Sequence, residues 1–356
     1  FSYSREGYSS RFVFNLDYNE SDISQPRPLW NFSNDDDIIE PPSDLAGLRG
    51  SGQRKAYATN LALTTGIGAP IGFRLTANAT GVRYENETVN TLDEFDRASV
   101  GADTFFHFNP ATAAVVGLRF RQFDDNSNAP KRLSRGVDVG FDHEFPDEAS
   151  LSVRVGYTNA DTNNPNQNGS SKGATGNIRY NKPMPNGSAF GTMSFERTDN
   201  GEISTVLAGR GYELPTGRFR FSIGASSIYG NTPKVIGGLT WAYQMPVSRV
   251  SFNLSRRVIA DGEDEDRFTS TVAATFTQQL TEQSNLFANL SYFLVDRTPT
   301  STQVERTNLQ LGYQYELTEE WNLDTGFSYR IRDEDNIGQA ESKSIFVSLS
   351  RRFDLF

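Results

Sequence analysis

Arginines recur in this chain at every second position of stretches whose intervening residues are apolar. Arg11, Arg74, Arg119, Arg121, Arg154, Arg179, Arg218, Arg220, Arg257, Arg306, Arg330 and Arg352 fall on one phase of that alternation. Asp17, Asp103, Asp138, Asp142, Glu144, Glu196, Glu316 and Asp324 share it. A guanidinium is a permanent cation with a planar fork of donors, so such a row can select passing anions or pair with the acids to brace a wall. Mixed signs within reach of one another usually pair, which assigns bracing to most of these residues. Arg119 with Arg121, and Arg218 with Arg220, repeat on one face with no acid beside them and are better candidates for meeting a solute. Phe105, Phe190, Phe287 and Phe293 lie on the same face. Rings there can stack on the apolar face of a pyranose, or pack against a segment folded inward.

Residues for bond-making chemistry are scarce. Cysteine is absent, which removes disulfides and thiolate metal or redox centres. The two histidines, His107 and His143, each stand three residues before a turn, at the periplasmic end, whereas barrel lipases and proteases need their Ser-His pair or His with several acids near the extracellular end. No enzyme and no cofactor are expected. Acids cluster at Asp35-Asp36-Asp37, Asp93-Glu94, Asp124-Asp125, Asp261 to Asp266 and Asp333-Glu334-Asp335. Such clusters can hold Ca²⁺, yet the 261–266 run lacks the ligand spacing of a calcium loop, so a solvated acidic surface and no metal site are expected.

The elements that must position these side chains follow from the turns. Short polar turns centre on Ala69-Pro70, Asn109-Pro110, Pro146-Asp147, Met184-Pro185, Pro215-Thr216, Pro246-Val247, Glu282-Gln283 and Glu319-Glu320. Between them run paired stretches of period-two alternation, the signature of strands with two different faces. Val250, Phe252 and Leu254 against Ser251, Asn253 and Ser255 are the clearest case. The strands expected are 8–20, 53–68, 71–86, 96–108, 113–124, 133–145, 149–160, 173–183, 187–198, 203–214, 218–229, 233–245, 249–260, 266–280, 284–296, 303–317, 321–333 and 341–355. Stretch 203–214 is the ambiguous one, because Val206, Ala208, Arg210 and Tyr212 compete with Thr205, Leu207 and Gly209 for the outer face. Losing that hairpin would leave sixteen strands.

Only 36% of the 356 residues are hydrophobic, so no run approaches the roughly 20 apolar residues of a membrane-spanning helix. Aromatics nevertheless reach 12%, placed at alternate positions. A sheet that is apolar outside and polar inside hides its membrane surface from a hydropathy scan in this way. The fold class is therefore all-β: a transmembrane antiparallel up-and-down β-barrel of about eighteen strands, with short periplasmic turns and longer extracellular loops. Residues 1–356 are read as one barrel domain with both termini in the periplasm. No basic-hydrophobic leader precedes Phe1, as expected of a secreted chain numbered after processing or truncation. Trp241, Tyr243, Phe106, Phe108 and Trp321 lie beside the turns and would form the periplasmic aromatic girdle, with His143 on the lipid-facing phase near them. Segment 21–52 is too long and too apolar in places for a surface loop. It is expected to fold into the mouth as a constriction, anchored by Trp30, Ile38, Ile39 and Leu45.

The final strand, Ile345 to Phe356, resembles the terminal strand of Gram-negative outer-membrane barrels, which ends in an aromatic residue read by the barrel-assembly machinery. Phe356 stands one step out of phase with Ile345, Val347, Leu349, Phe353 and Leu355. With tight turns and about eighteen strands, the chain is also similar to the porin-like barrels associated with exopolysaccharide secretion. The resemblance implies an outer-membrane channel, (poly)saccharide export or saccharide and anion diffusion, and a separate periplasmic export partner. The alternative is a structural or assembly barrel with a plugged lumen, acting through its loops. Partners expected are outer-membrane lipid and lipopolysaccharide, the assembly machinery, and a saccharide or anionic solute. A net charge of −10 argues against nucleic acid.

Overall fold

The computed structural model describes residues 1–23, 48, 50–88, 92, 94–125, 131–162, 170–198, 201–259, 266–298, 302–335 and 337–351. Every regular element among them is a strand. In chain order these are β1 (Ser2–Glu6), β2 (Ser10–Asp22), β3 (Gln53–Thr65), β4 (Ile71–Glu85), β5 (Phe95–Asn109), β6 (Thr112–Asp125), β7 (Arg132–Glu144), β8 (Ser150–Thr162), β9 (Ser170–Met184) and β10 (Gly187–Thr198). They continue as β11 (Gly201–Leu214), β12 (Gly217–Ile228), β13 (Lys234–Gln244), β14 (Ser248–Ile259), β15 (Arg267–Thr281), β16 (Ser284–Val295), β17 (Val304–Glu316), β18 (Trp321–Glu334) and β19 (Gly338–Arg351).

Each strand pairs antiparallel with the next, from β1–β2 through β18–β19, in one up-and-down meander. Among the described residues no register returns from β19 to the first strands, so the sheet is not closed there. Strands of 11 to 15 residues from β2 onward match the roughly 9–11 residues that a tilted strand needs to cross a hydrocarbon core, with ends protruding on both sides. Backbone polar groups in that core must pair within the protein, and the antiparallel meander pairs them along every strand between its two edges.

The two faces differ as the alternation requires. On one face Phe73, Leu75, Val116, Leu118, Val137, Val139, Val155, Ile223, Val235, Leu254 and Leu290 are exposed, a continuous apolar surface suited to lipid. On the other face Ser226, Asn253, Thr271, Ser291, Gln310 and Ser328 are buried, so the polar phase lines the interior. The sheet is also curled. Val82 and Tyr84 of β4, Phe95 of β5 and Phe123 of β6 share one cluster with Phe293 and Val295 of β16, which lies far away in strand order.

The turn side is as expected. At Met184-Pro185-Asn186-Gly187 and Leu214-Pro215-Thr216-Gly217 a proline opens each tight link, and the glycine stands where a Cβ would strike the backbone of the neighbouring strand. Gly187 adopts φ +134°, a conformation open to glycine alone without strain. The opposite side departs from expectation. Not every connection there is long, since β10 and β11 are joined through residues 199–200 and β18 and β19 through 335–337.

One further expectation is corrected and one is met. The meander has an additional strand, β1, which lies along Arg11–Asn15 of β2. Its sequence, Ser-Tyr-Ser-Arg-Glu, has too little apolar alternation to announce itself. Phe1 consequently sits beside Leu16, with its ammonium donating to the Leu16 carbonyl at 2.7 Å, rather than at the turn end. Stretch 203–214 does form a strand, β11, with Val206 exposed on the lipid phase and Leu207 packed inside against Ile228 and Ile236. The sixteen-strand alternative therefore falls. Arg352, Phe353, Leu355 and Phe356 lie outside the described residues.

Candidate functional site: the charged inner wall and its closed end

Cross-strand register decides which inner charges are braced. Residues paired across antiparallel strands share a face, so a small residue opposite a long one gives it room to lie flat. Arg119 pairs with Gly101 on one side and Gly136 on the other. It reaches Asp103 at 2.5 Å and Asp138 at 3.6 Å. Asp138 in turn pairs with Gly117 and Gly156. Arg154 lies over Gly140 and grips Asp142 through two hydrogen bonds, 2.8 and 2.7 Å. These are wall braces. For Arg119 the expectation of a solute-facing role is therefore corrected, because the acids that hold it come from neighbouring strands and were invisible in its own sequence.

Arg121 and Arg179 behave differently. Arg121 pairs with Ser99 and Ser134, and Arg179 with Ser152 and Thr192, so neither has a glycine directly opposite, and neither forms an ion pair among the described residues. Both side chains are exposed. Both line a cavity of 410 Å³ together with Ser134, Thr158, Thr175, Asn177, Ser194 and the exposed Glu196. A second cavity of 340 Å³ shares Arg121 and Ser134 with it and adds Arg97, Arg132, Phe123 and Asp266. The arginines are thus continuous along β5–β9, from the loop side to mid-strand.

The remaining residues singled out from sequence fall into place around this wall. Arg74 lies 5.2 Å from the Phe105 ring, which stacks on His107. Arg220 lies 4.7 Å over Phe190, which itself covers Gly209. Phe287 covers Gly312 in the same way. These aromatics are engaged by their own wall. Arg218 and Arg257 also have partners, which leaves the Arg218–Arg220 doublet without a free cation of the kind expected. Arg330 feels the charge of Asp22 and is paired across the sheet with Asn308 and Ser342. Phe293 is 3% exposed and shares the loop-side apolar cluster with Ile23 and Leu48, so of its two expected roles the structure shows packing against that segment and not an open stacking face.

That cluster lies at the loop-side ends of the strands. Ile23 and Leu48 join Val82, Tyr84, Leu92, Phe95, Phe123, Phe293 and Val295. The Leu48 carbonyl accepts hydrogen bonds from Arg306 of β17 and Arg332 of β18. The idea that segment 21–52 reaches into the mouth thus has two described contacts, Ile23 and Leu48; Trp30, Ile38, Ile39 and Leu45 lie outside the described residues. Arg97 and Arg132, which sequence reasoning passed over, cap the cluster by lying over Phe95 and Phe123. Both stand on the inward phase, so the alternation rule applied without exception would have found them.

Asp266 is another correction. It belongs to a run read as a solvated acidic surface, yet it is 4% exposed and accepts hydrogen bonds from Tyr229 at 2.6 Å and Thr198 at 2.9 Å. Asp261 to Glu265 and Asp35 to Asp37 lie outside the described residues. Just beyond β16, Asp296 bridges Arg256 at 2.5 Å and Lys234 at 3.0 Å. Burial alone would raise its pKa, but hydrogen bonds and charge from both cations outweigh that and hold it below the usual 3.8. At the turn side, the Trp241 and Tyr243 rings stack at 6.0 Å, and His143, between Phe141 and Phe145, meets the Thr112 hydroxyl at 2.9 Å. This aromatic belt stands where interfacial rings are favoured.

No protein-family model matches the chain. No curated protein matches it either. Solved structures that are similar include BauA, the ferric preacinetobactin receptor of Acinetobacter baumannii, at 11% identity and a TM-score of 0.49, covering 98% of this chain and 71% of that one. The siderophore receptor PirA of Pseudomonas aeruginosa follows at 10% identity and 0.44, covering 98% and 72%. The FpvAI–pyocin S2 complex stands at 10% identity and 0.39, covering 82% of this chain and 58% of that one. The chain thus spans less than two thirds of the chain it matches in that complex. At these values the likenesses decide nothing about ligand or activity, and the functional reading rests on the wall and its loop-side cluster.

Proposed function

We propose that this chain is an outer-membrane conduit which passes anionic or saccharide solutes along its arginine-lined inner wall, and that the apolar cluster around Leu48 is its closed end. The observation that carries this reading is the pair of unbraced arginines, Arg121 and Arg179, exposed to a 410 Å³ cavity while their neighbours are tied to acids. Fixed charge held in a low-dielectric wall and left unpaired acts on passing ions, whereas a braced pair is nearly neutral to them. Hydroxyl and amide groups flanking both arginines would exchange hydrogen bonds with a hydroxylated solute. Such passage needs no cofactor and no bond chemistry. Polysaccharide export, with a separate periplasmic partner, is the narrower form of the proposal and draws on the porin-like resemblance alone.

The Leu48 cluster favours a second reading, a structural or assembly barrel whose lumen stays shut. Planar-bilayer recording separates the two. A conduit gives discrete conductance that anionic or neutral oligosaccharides block, after removal of residues 24–47 if the intact chain is closed. A barrel silent in both forms would refute the conduit.

A further inference from the structure

Arg210 is a cation on the wrong face. Its phase in β11 is that of Val206, which is 52% exposed on the lipid side, and its cross-strand partner in β12 is Phe221, 39% exposed on the same surface. At mid-membrane a lipid-facing arginine costs about 2–4 kcal/mol, falling towards zero at the interface. Arg210 stands four residues before Leu214 at the turn. At about 3.3 Å per residue and a tilt near 40°, that is roughly 10 Å from the turn, at headgroup or upper acyl depth.

Its side chain bends towards the turn, as long cations do near a membrane surface. Cζ lies 4.5 Å over the Tyr212 ring, and Nη2 donates to the Asn186 side-chain oxygen at 3.3 Å. That single neutral acceptor serves a guanidinium with five donors. Nε is shut away from solvent with no acceptor at all. Lys182 and Arg351, on the same outer phase near the turns, each hold an acid, Asp147 at 2.9 Å and Glu320 at 2.6 Å. Arg210 holds none. Around it Tyr212, Phe219 and Phe221 form a tilted and stacked aromatic patch, 6.1 to 6.5 Å between ring centres.

We infer that Arg210 binds the phosphodiester of a membrane phospholipid, with the Tyr212–Phe219–Phe221 patch holding the start of its acyl chains. The guanidinium donors that Asn186 does not take call for an anion, and the bilayer interface supplies one. A lipid phosphate has the right charge and depth and accepts in the planar, two-pronged manner a guanidinium favours. The inference concerns the outer surface and does not depend on whether the lumen conducts.

Native mass spectrometry of the full chain in detergent, titrated with phosphatidylglycerol, tests it. Wild type should retain a lipid that Arg210→Gln binds about tenfold or more weakly, the effect of losing one charge-assisted contact. Arg220→Gln, on the next strand but the inner face, should retain it fully. Arg210→Lys should restore most of the binding and guards against a folding defect in the glutamine variant. Millimolar inorganic phosphate should not displace the lipid, and displacement would show a simple anion site instead. Equal lipid retention by wild type and Arg210→Gln would overturn the proposal, as would equal loss in Arg210→Gln and Arg220→Gln.

Discussion

The division between braced and free arginines can be tested by removing one kind at a time. In the double variant Arg121→Gln with Arg179→Gln, no acid loses its partner, because neither cation holds one among the described residues. Stability should change by less than about 0.5 kcal/mol, as at an ordinary exposed site. Ion selectivity should change much more. A unit charge about 6 Å from a permeating ion in water-like surroundings contributes about 0.7 kcal/mol, roughly threefold in relative permeability. Each charge favours the anion and disfavours the cation by that amount, so two give up to about a hundredfold in the anion-to-cation ratio at low salt. Because the Debye length shrinks from about 10 Å at 0.1 M to about 3 Å at 1 M, most of that difference should vanish in concentrated salt. The assay is the reversal potential under a salt gradient, recorded at both ionic strengths. Arg119→Gln is the counter-case. It leaves Asp103 and Asp138, whose side chains are about 14% and 15% exposed, without their cation. Breaking a fully buried pair costs about 3–5 kcal/mol. With Arg119 itself 38% exposed, solvent screening reduces the expectation to about 1–3 kcal/mol. If Arg119→Gln moved the reversal potential as far as the double variant while leaving stability untouched, the distinction between brace and path would be wrong.

Other outcomes follow from the same geometry. Leu48→Asp places a charge inside the apolar cluster that closes the loop side, and Arg306→Gln with Arg332→Gln removes both donors from the Leu48 carbonyl; each should raise open-channel frequency in bilayer recordings at least tenfold, and unchanged traces from both would show that the cluster is not the closed end. Gly117→Val drives its side chain into the Asp138 carboxylate and should lower the temperature at which the barrel loses its compact electrophoretic mobility, whereas Gly68→Val, where a Cβ would meet nothing, isolates the separate cost of positive φ. The Asp296 bridge has a depressed folded pKa, so its stabilisation is fully present above about pH 4, the unfolded range, and is lost as pH falls through the lower folded value. Unfolding curves should therefore be flat in this contribution from pH 5 to 8 and show an acid-side loss that Asp296→Asn abolishes.

The strands were legible because period-two alternation survives any choice of partner. From 53–68 to 321–333 the expected stretches coincide with β3 to β18 to within a few residues, and the inward phase assigned to Arg74, Arg119, Arg154 and Arg179 is the observed one. What phase cannot reveal is who stands opposite. Arg119 and Arg121 are two residues apart, point the same way and have similar sequence neighbours, yet one is tied between two aspartates and the other is free. The difference lies in Gly101, Gly136 and Asp138 against Ser99 and Ser134, and those pairings need a register that only the turns and packing together define. Leu48 was hidden for a different reason. Nothing in segment 21–52 distinguishes Leu48 from its other apolar residues as the one whose carbonyl two distant arginines will meet.

Glycine opposite a long inward residue therefore carries information that composition conceals. Gly117 under Asp138, Gly140 under Arg154, Gly209 under Phe190 and Gly312 under Phe287 each let a large group lie along the wall instead of across the lumen. A β-strand glycine weakens the strand and packs nothing of its own, so its place is explained by what lies over it. The wall then has two kinds of inner charge. Over glycine the charge lies flat and paired, and the strand pair gains a cross-brace. Opposite serine or threonine, as at Arg121 and Arg179, there is no recess and no partner, and the guanidinium remains available to whatever enters the cavity. Replacing Ser134 with Gly and Ser99 with Asp would give Arg121 a glycine recess on one side and an acid directly opposite on the other. If the reasoning holds, that exchange alone should neutralise Arg121 as a selectivity element while stabilising β5–β7, and a variant that kept its anion preference would show that opposite-residue size does not govern which arginines are free.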